Sequence, residues 1–295
     1  METRVTRSLR LFLSAAFISG IALPATAQEA ETRPAPRIEV DASTLDRDTI
    51  TIGGGVGFIP SYEGSNDYVV IPVGAVRGKV NGFNFMSRGL QLSLDAVRDR
   101  KTSDIDIMFG PVVGLNLNRV NRIVDARVRA LGTRKTALEV GGYVGIGKTG
   151  VITSEYDTLA VRVSYVRDVT GVHDSYVITP SIEYGTPLSR RAYVGIAGSA
   201  SIVGDRYAET YFAVDPAGSI ASGLPVFARP RGGVKSYSAT LLGNYALSGD
   251  LLRGTQIFTI LSYSRLQGDF ARSPITSIAG SPDQLYGAIG IGYTF

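Results

Sequence analysis

The 295-residue chain is predicted to be all-β: an antiparallel transmembrane β-barrel, closed by a C-terminal strand that ends at Phe295. Three observations carry that prediction. Apolar residues alternate with small or polar ones at period two along most of the chain. Past the N-terminal segment no window of about eighteen uncharged apolar residues occurs, so no helix is expected to span a bilayer. Connections between the candidate strands alternate between long and short, as they do in barrels with loops at one rim and turns at the other. Composition agrees, since 35 Gly, 15 Tyr and 11 Phe suit glycine-rich strands flanked by aromatic girdles.

The first element is a leader. Arg4, Arg7 and Arg10 precede the apolar stretch from Leu11 to Leu23 and then Ala25-Thr26-Ala27, which reads as a secretory signal peptide cut between Ala27 and Gln28. Residues 28–47 are polar and proline-bearing and are expected to form a periplasmic lead-in, leaving 48–295 for the barrel in the cell outer membrane. Residues 1–27 carry three Arg and one Glu, so their removal takes the formal charge from +4 to +2. With signs interspersed, that balance makes no basic stripe, and nucleic acid is not an expected partner. The chain has no cysteine, which excludes disulfides, thiol catalysis and thiolate metal sites, and its single histidine leaves no transition-metal set. No cofactor, metal or catalytic residue is expected.

Candidate strands fall near 49–60, 67–78, 82–96, 103–118, 136–149, 155–168, 173–186, 191–203, 234–248, 253–268 and 284–295. These are eleven segments, whereas bacterial single-chain barrels have even strand numbers. Splitting 82–96 at Ser87-Arg88-Gly89 gives twelve, with ten as the alternative. In the fourth segment Ile105, Ile107 and Phe109 oppose Asp104 and Asp106; in the fifth, Leu138, Val140, Val144 and Ile146 oppose Glu139, Tyr143 and glycines. Val161, Val163 and Tyr165 then oppose Arg162 and Ser164, and Tyr237, Ala239, Leu241 and Tyr245 oppose Ser238, Thr240 and Asn244. Such alternation puts apolar residues toward lipid and charges into a wet lumen. The last strand is the clearest, with Ile289, Ile291, Tyr293 and Phe295 on one face and Ala288, Gly290, Gly292 and Thr294 on the other. Those four bulky residues resemble the terminal signal read by the barrel-assembly machinery. Counting back from a final strand that descends to the periplasm places 268–283, 204–233 and the arginine-rich 119–135 outside, where the last could meet lipopolysaccharide phosphates.

Several strings imitate active sites. Gly142 to Thr149 matches a phosphate-loop pattern, but a strand-end turn followed by another strand replaces the helix that phosphate binding needs. Gly53-Gly54-Gly55-Val56-Gly57 opens no helix, so close strand packing explains it better than a dinucleotide. His173-Asp174-Ser175 cannot form a relay among themselves, because neighbours in an extended chain point to opposite faces; His173 is expected at a loop edge. Asp205 and Glu209 lack a dense calcium-ligand spacing and read as solvated loop charges.

Four stretches carry a family resemblance: Gly53-Gly54-Gly55 with Pro60-Ser61-Tyr62-Glu63-Gly64-Ser65; Gly204-Asp205 through Tyr207, Tyr211, Phe212 and Val214; Ser222-Gly223-Leu224-Pro225; and Gly268-Asp269 with Ser273-Pro274-Ile275. In that order and spacing the chain resembles the MipA/OmpV family of MltA-interacting outer-membrane proteins over nearly all of the sequence after the leader. The resemblance implies a scaffold that links a lytic transglycosylase and a murein synthase to the outer membrane, and it transfers no catalytic residue. Alternatives are an adhesion-type surface barrel or a small passive channel lined by residues such as Arg162, Ser238, Thr240 and Asn244.

Overall fold

A computed structural model describes residues 48–97 and 105–295. The cleavage pair Ala27 and Gln28 and the lead-in 28–47 lie outside the described residues. Twelve strands close into one antiparallel barrel: β1 (Thr49–Pro60), β2 (Tyr68–Val80), β3 (Phe83–Arg88), β4 (Gln91–Leu94), β5 (Ile105–Asn116), β6 (Ala137–Thr149), β7 (Thr158–Asp168), β8 (Tyr176–Pro187), β9 (Ala192–Val203), β10 (Gly233–Ala246), β11 (Gly254–Leu266) and β12 (Asp283–Thr294). Each pairs with its chain neighbours, and β12 returns to β1. Residues 82–96 do divide in two, with β3 ending at Arg88 and β4 starting at Gln91. The string from Gly142 to Thr149 lies wholly inside β6, so no turn begins until Gly150.

Alternation in the sequence becomes an inside and an outside. Ile289, Ile291, Tyr293 and Phe295 project outward, while Gly290, Gly292 and Thr294 are buried. Val144, Ile146, Val161, Val163, Leu241 and Leu261 continue the apolar belt around the barrel. A continuous apolar exterior would drive a protein out of water, and here it matches the hydrocarbon phase. Aromatic rings border the belt: Phe58, Tyr165, Tyr237 and Tyr263 toward one rim, Tyr245, Tyr293 and Phe295 toward the other. Facing inward, Ser238 bonds Ser264 at 2.9 Å, Thr240 bonds Ser262 at 2.8 Å and Asn244 donates to Gln256 at 2.6 Å, a polar ladder across β10 and β11.

The seam between β1 and β12 explains the glycine run. Gly55 pairs with Gly290, and a Cβ on Gly55 would overlap the Ile289 carbonyl and the Gly290 Cα. Close packing is therefore the reason for glycine there. Between β2 and β3, Asn81 at φ 54° and Gly82 at φ 80° form a two-residue hairpin of the type whose positive φ values favour Asn-Gly.

One stretch of wall has a free edge. The backbone N–H of Val76 points toward β3, donating to Ser87 Oγ at 2.8 Å, and alternate residues of a strand present their backbone groups to the same edge. Gly74, Pro72 and Val70 therefore face beyond the short β3–β4 hairpin, where no described strand pairs with them. Pro72, which has no N–H to leave unpaired, fits that position.

The two rims differ. One carries turns at 81–82, 150–157, 188–191 and 247–253. At the other lie the long connections, which fold into five short helices: α1 (Ala126–Ala130), α2 (Asp205–Phe212), α3 (Pro216–Ser222), α4 (Gly268–Arg272) and α5 (Pro274–Ser277). None exceeds eight residues, so none could write a three-turn periodicity into the sequence.

Candidate functional site

The long-loop half of the lumen is filled. Helix α2, preceded by Gly204 at its N-cap, exposes Asp205 and Glu209 and turns Tyr207, Ala208, Tyr211 and Phe212 inward. These pack with Val112 of β5, Val166 of β7, Val177 of β8, Val203 of β9, Leu266 of β11 and Phe270 of α4. The cluster thus crosses the lumen from β5 to β11. Above it, Tyr62, Ile123, Val128, Val214, Leu224 and Ile275 form a second apolar cluster drawn from four of the connections between strands.

Side chains from the other loops cap the C-terminal end of α2. Its last carbonyls lack helical partners. Arg134 donates to Thr210 O at 2.9 Å, Arg119 to Tyr211 O at 3.0 Å and Ser273 to Phe212 O at 2.6 Å. Arg119 is 1 % exposed and also donates to Gly132 O at 3.1 Å. Burial, and then Arg134, push its guanidinium down to about 10, which leaves it charged at neutral pH. This corrects the expectation that residues 119–135 as a whole form an outward phosphate-binding surface. Arg122, Arg127, Arg129 and Lys135 are exposed, whereas Arg119 holds the plug together.

Beneath α2 runs a buried polar network. Lys235 Nζ lies 2.5 Å from Glu63 Oε1 and donates to Tyr207 Oη at 3.2 Å. The Tyr207 hydroxyl donates to Glu63 Oε2 at 2.8 Å. Burial, followed by the Glu63 charge, raises its pKa and keeps that proton in place. Asn116 joins Tyr207 to Glu139, which meets His173 Nε2 at 3.2 Å. His173 was expected at a loop edge, yet it is 2 % exposed. Asp168 is the reason: its Oδ2 accepts from the backbone N–H groups of His173 at 2.7 Å and Asp174 at 3.0 Å, folding the connection inward. The imidazole then lies edge-on to Tyr207, with centroids 5.1 Å apart. His173 Nδ1 has no partner among the described residues, so the ring sits in no serine relay. Sequence reasoning missed this network because its members come from six separate segments. Asp205 Oδ1 accepts from Gly232 N at 2.7 Å, a loop-anchoring role. No group of potential metal ligands assembles among the described residues.

At the short-turn half the lumen opens into a vestibule of about 830 Å³. Tyr143 and Arg162 reach into it from β6 and β7, Arg77 from β2, Met108 from β5, and Ser189 and Leu251 from the turns. The lumenal placement expected for Arg162 is therefore observed, along with that of Ser238, Thr240 and Asn244. The rim is stiffened at 150–157, where the buried Asp157 carboxylate accepts from the backbone N–H groups of Val151, Ile152 and Thr153 and from Tyr184 Oη. Burial alone would raise the Asp157 pKa, but those donors hold it well below the usual carboxylate range.

Solved structures similar to this chain are outer-membrane barrels. An outer membrane channel from Pseudomonas putida F1 is 14% identical with a TM-score of 0.42, the match covering 84% of this chain and 95% of that one. OmpT of Vibrio cholerae is 7% identical with a TM-score of 0.35, covering 84% and 97%. A FadL homologue from Pseudomonas aeruginosa is 10% identical with a TM-score of 0.29, covering 86% and 92%. No curated protein matches the sequence. The model of the family described as MltA-interacting protein MipA matches residues 52–295, which include all twelve strands but for the first three residues of β1, and the chain belongs to that family.

Proposed function

We propose that this outer-membrane barrel is a non-catalytic scaffold that holds a murein lytic transglycosylase, and through it a murein synthase, at the periplasmic face of the membrane. The observation that carries the reading is the asymmetry of the lumen: an aromatic plug crosses it at the long-loop end, while the short-turn end stays open and lies on the side expected to face murein. The family description, MltA-interacting protein, supports a partner of the murein-enzyme kind that the resemblance implies. Enclosure of His173 by Glu139, Tyr207 and Tyr211 argues against a lipid-hydrolysing barrel, because no nucleophile lies within hydrogen-bond reach of the ring among the described residues. The plug likewise argues against a passive conduit.

The test is affinity capture of the lytic transglycosylase with the full-length barrel. Chimeras in which the turns 188–191 and 247–253 are exchanged for unrelated ones should lose the partner, and exchange of the exposed face of α3 should not. Loss only on the α3 exchange, or no capture by the intact barrel, contradicts the scaffold reading.

A further inference from the structure

We propose that the vestibule at the short-turn end binds a small amphipathic anion, a carboxylate or phosphate carried on an apolar or aromatic body. The inference is independent of the partner protein above. Five basic side chains line the cavity: Arg77, Lys79, Arg88, Arg162 and Arg190. Three carboxylates line it as well, Asp95, Asp106 and Asp250, and a fourth, Glu183, lies close enough to pair with one of the arginines. Arg88 is committed to Glu183 at 3.1 Å. Arg162 is different. It is 8 % exposed, its guanidinium carbon lies 3.7 Å from the Tyr143 ring centroid, and it makes no hydrogen bond or ion pair with any described residue. Arg77, facing the same cavity, makes none either. Removing an arginine from bulk water is costly unless its donors are matched. A guanidinium resting over an aromatic ring at the wall of a cavity, with no hydrogen bond to a described residue, is suited to bind a planar carboxylate or a phosphate through paired hydrogen bonds.

Apolar surface supplies the rest of the site. Phe85, Met86, Met108, Tyr193 and Leu251 line the same space, and methionines adapt to irregular ligand shapes. The volume of about 830 Å³ falls within the range of small-molecule sites, roughly 300–1,000 Å³. A free inorganic anion would leave these apolar groups uncovered, whereas a neutral apolar molecule would leave Arg77 and Arg162 unmatched. Both halves of the ligand are thus specified by the lining.

The experiment is calorimetric titration of the full-length barrel in lipid nanodiscs with phenylacetate, phenyl phosphate and phenyltrimethylammonium. The expected result is saturable binding of at least one anion, one per barrel, with no binding of the cation. Stronger binding of phenylacetate assigns the natural source to carboxylates such as peptide termini, and stronger binding of phenyl phosphate assigns it to phosphorylated headgroups. Arg162→Gln and Arg77→Gln should each weaken the preferred anion by about tenfold or more, the loss of a charge-assisted contact. Both variants should keep the wild-type heat-dependent gel shift, which separates lost binding from lost folding. Equal binding of all three probes, no binding of either anion, or anion binding that neither substitution changes would overturn the proposal.

Discussion

Two buried arginines, one at each end of the lumen, show how the halves of this barrel differ. Arg119 at the long-loop end donates to the carbonyls of Tyr211 and Gly132 and ties two loops to a helix terminus. Arg162 at the short-turn end is nearly as buried but only stacks on Tyr143. The same side chain is structural where two of its donors hold carbonyls, even with the Arg119 Nε left without an acceptor among the described residues, and available where it makes no hydrogen bond with any of them. The plugged half has the buried ion pair, the helix caps and both apolar clusters, and the open half has the cavity.

The strongest way to break that contrast is to remove the plug. Deletion of 206–231 with a short glycine link should turn a barrel silent in planar bilayers into one with discrete conductance steps; silence after deletion would mean that the seal lies elsewhere. Next in size is Glu63→Ala, which strands the ammonium of Lys235, 9 % exposed, beside Tyr207. Stability in urea should fall by about 3 kcal/mol, typical for a buried ion pair with one partner removed. Arg119→Met should cost about 2 kcal/mol, because it leaves the buried Tyr211 carbonyl unmatched and unties the loop held through Gly132. Arg162→Gln should change urea stability by less than about 1 kcal/mol, since the Tyr143 stack is lost but no hydrogen bond or ion pair to a described residue is. A large loss there would show that Arg162 is structural after all.

The smallest effect is one of pH. Asp157 has a lowered folded pKa, so its contribution is present above its unfolded value near 4, and it fades as pH falls through the folded one. Thermal midpoints of wild type and Asp157→Asn should differ at pH 7 and converge below about pH 4. A gap that persists into acid would point to turn geometry rather than charge.

Much of the wall was legible in the sequence, because each strand states its own two faces. Ile289, Ile291, Tyr293 and Phe295 needed no distant partner to be recognised as outward, nor did Arg162 as inward. Even the break between β3 and β4 followed from Ser87-Arg88-Gly89. The plug was not legible in the same way. Lys235 meets Glu63 across 172 residues, and no periodicity announces that pairing. Local signals did exist for α3: Asp215 caps it, Pro216 starts it and Gly223, at φ 72°, ends it. The stretches that carried the family resemblance supply Tyr62, Glu63, Tyr207, Phe212, Leu224 and Ile275, so what looked like scattered loop motifs converges on the plug and its network.

Because the chain has no cysteine, single introduced thiols can report on each end in living cells. The most direct test of the account is labelling of Glu209→Cys, on the exposed side of α2, and Ser189→Cys, in the vestibule lining, with a bulky membrane-impermeant maleimide. Glu209→Cys should react in intact cells, and Ser189→Cys only after the outer membrane is permeabilised. Equal labelling of Ser189→Cys in intact cells would contradict the sealed lumen and, with it, the assignment of the open end to the periplasm.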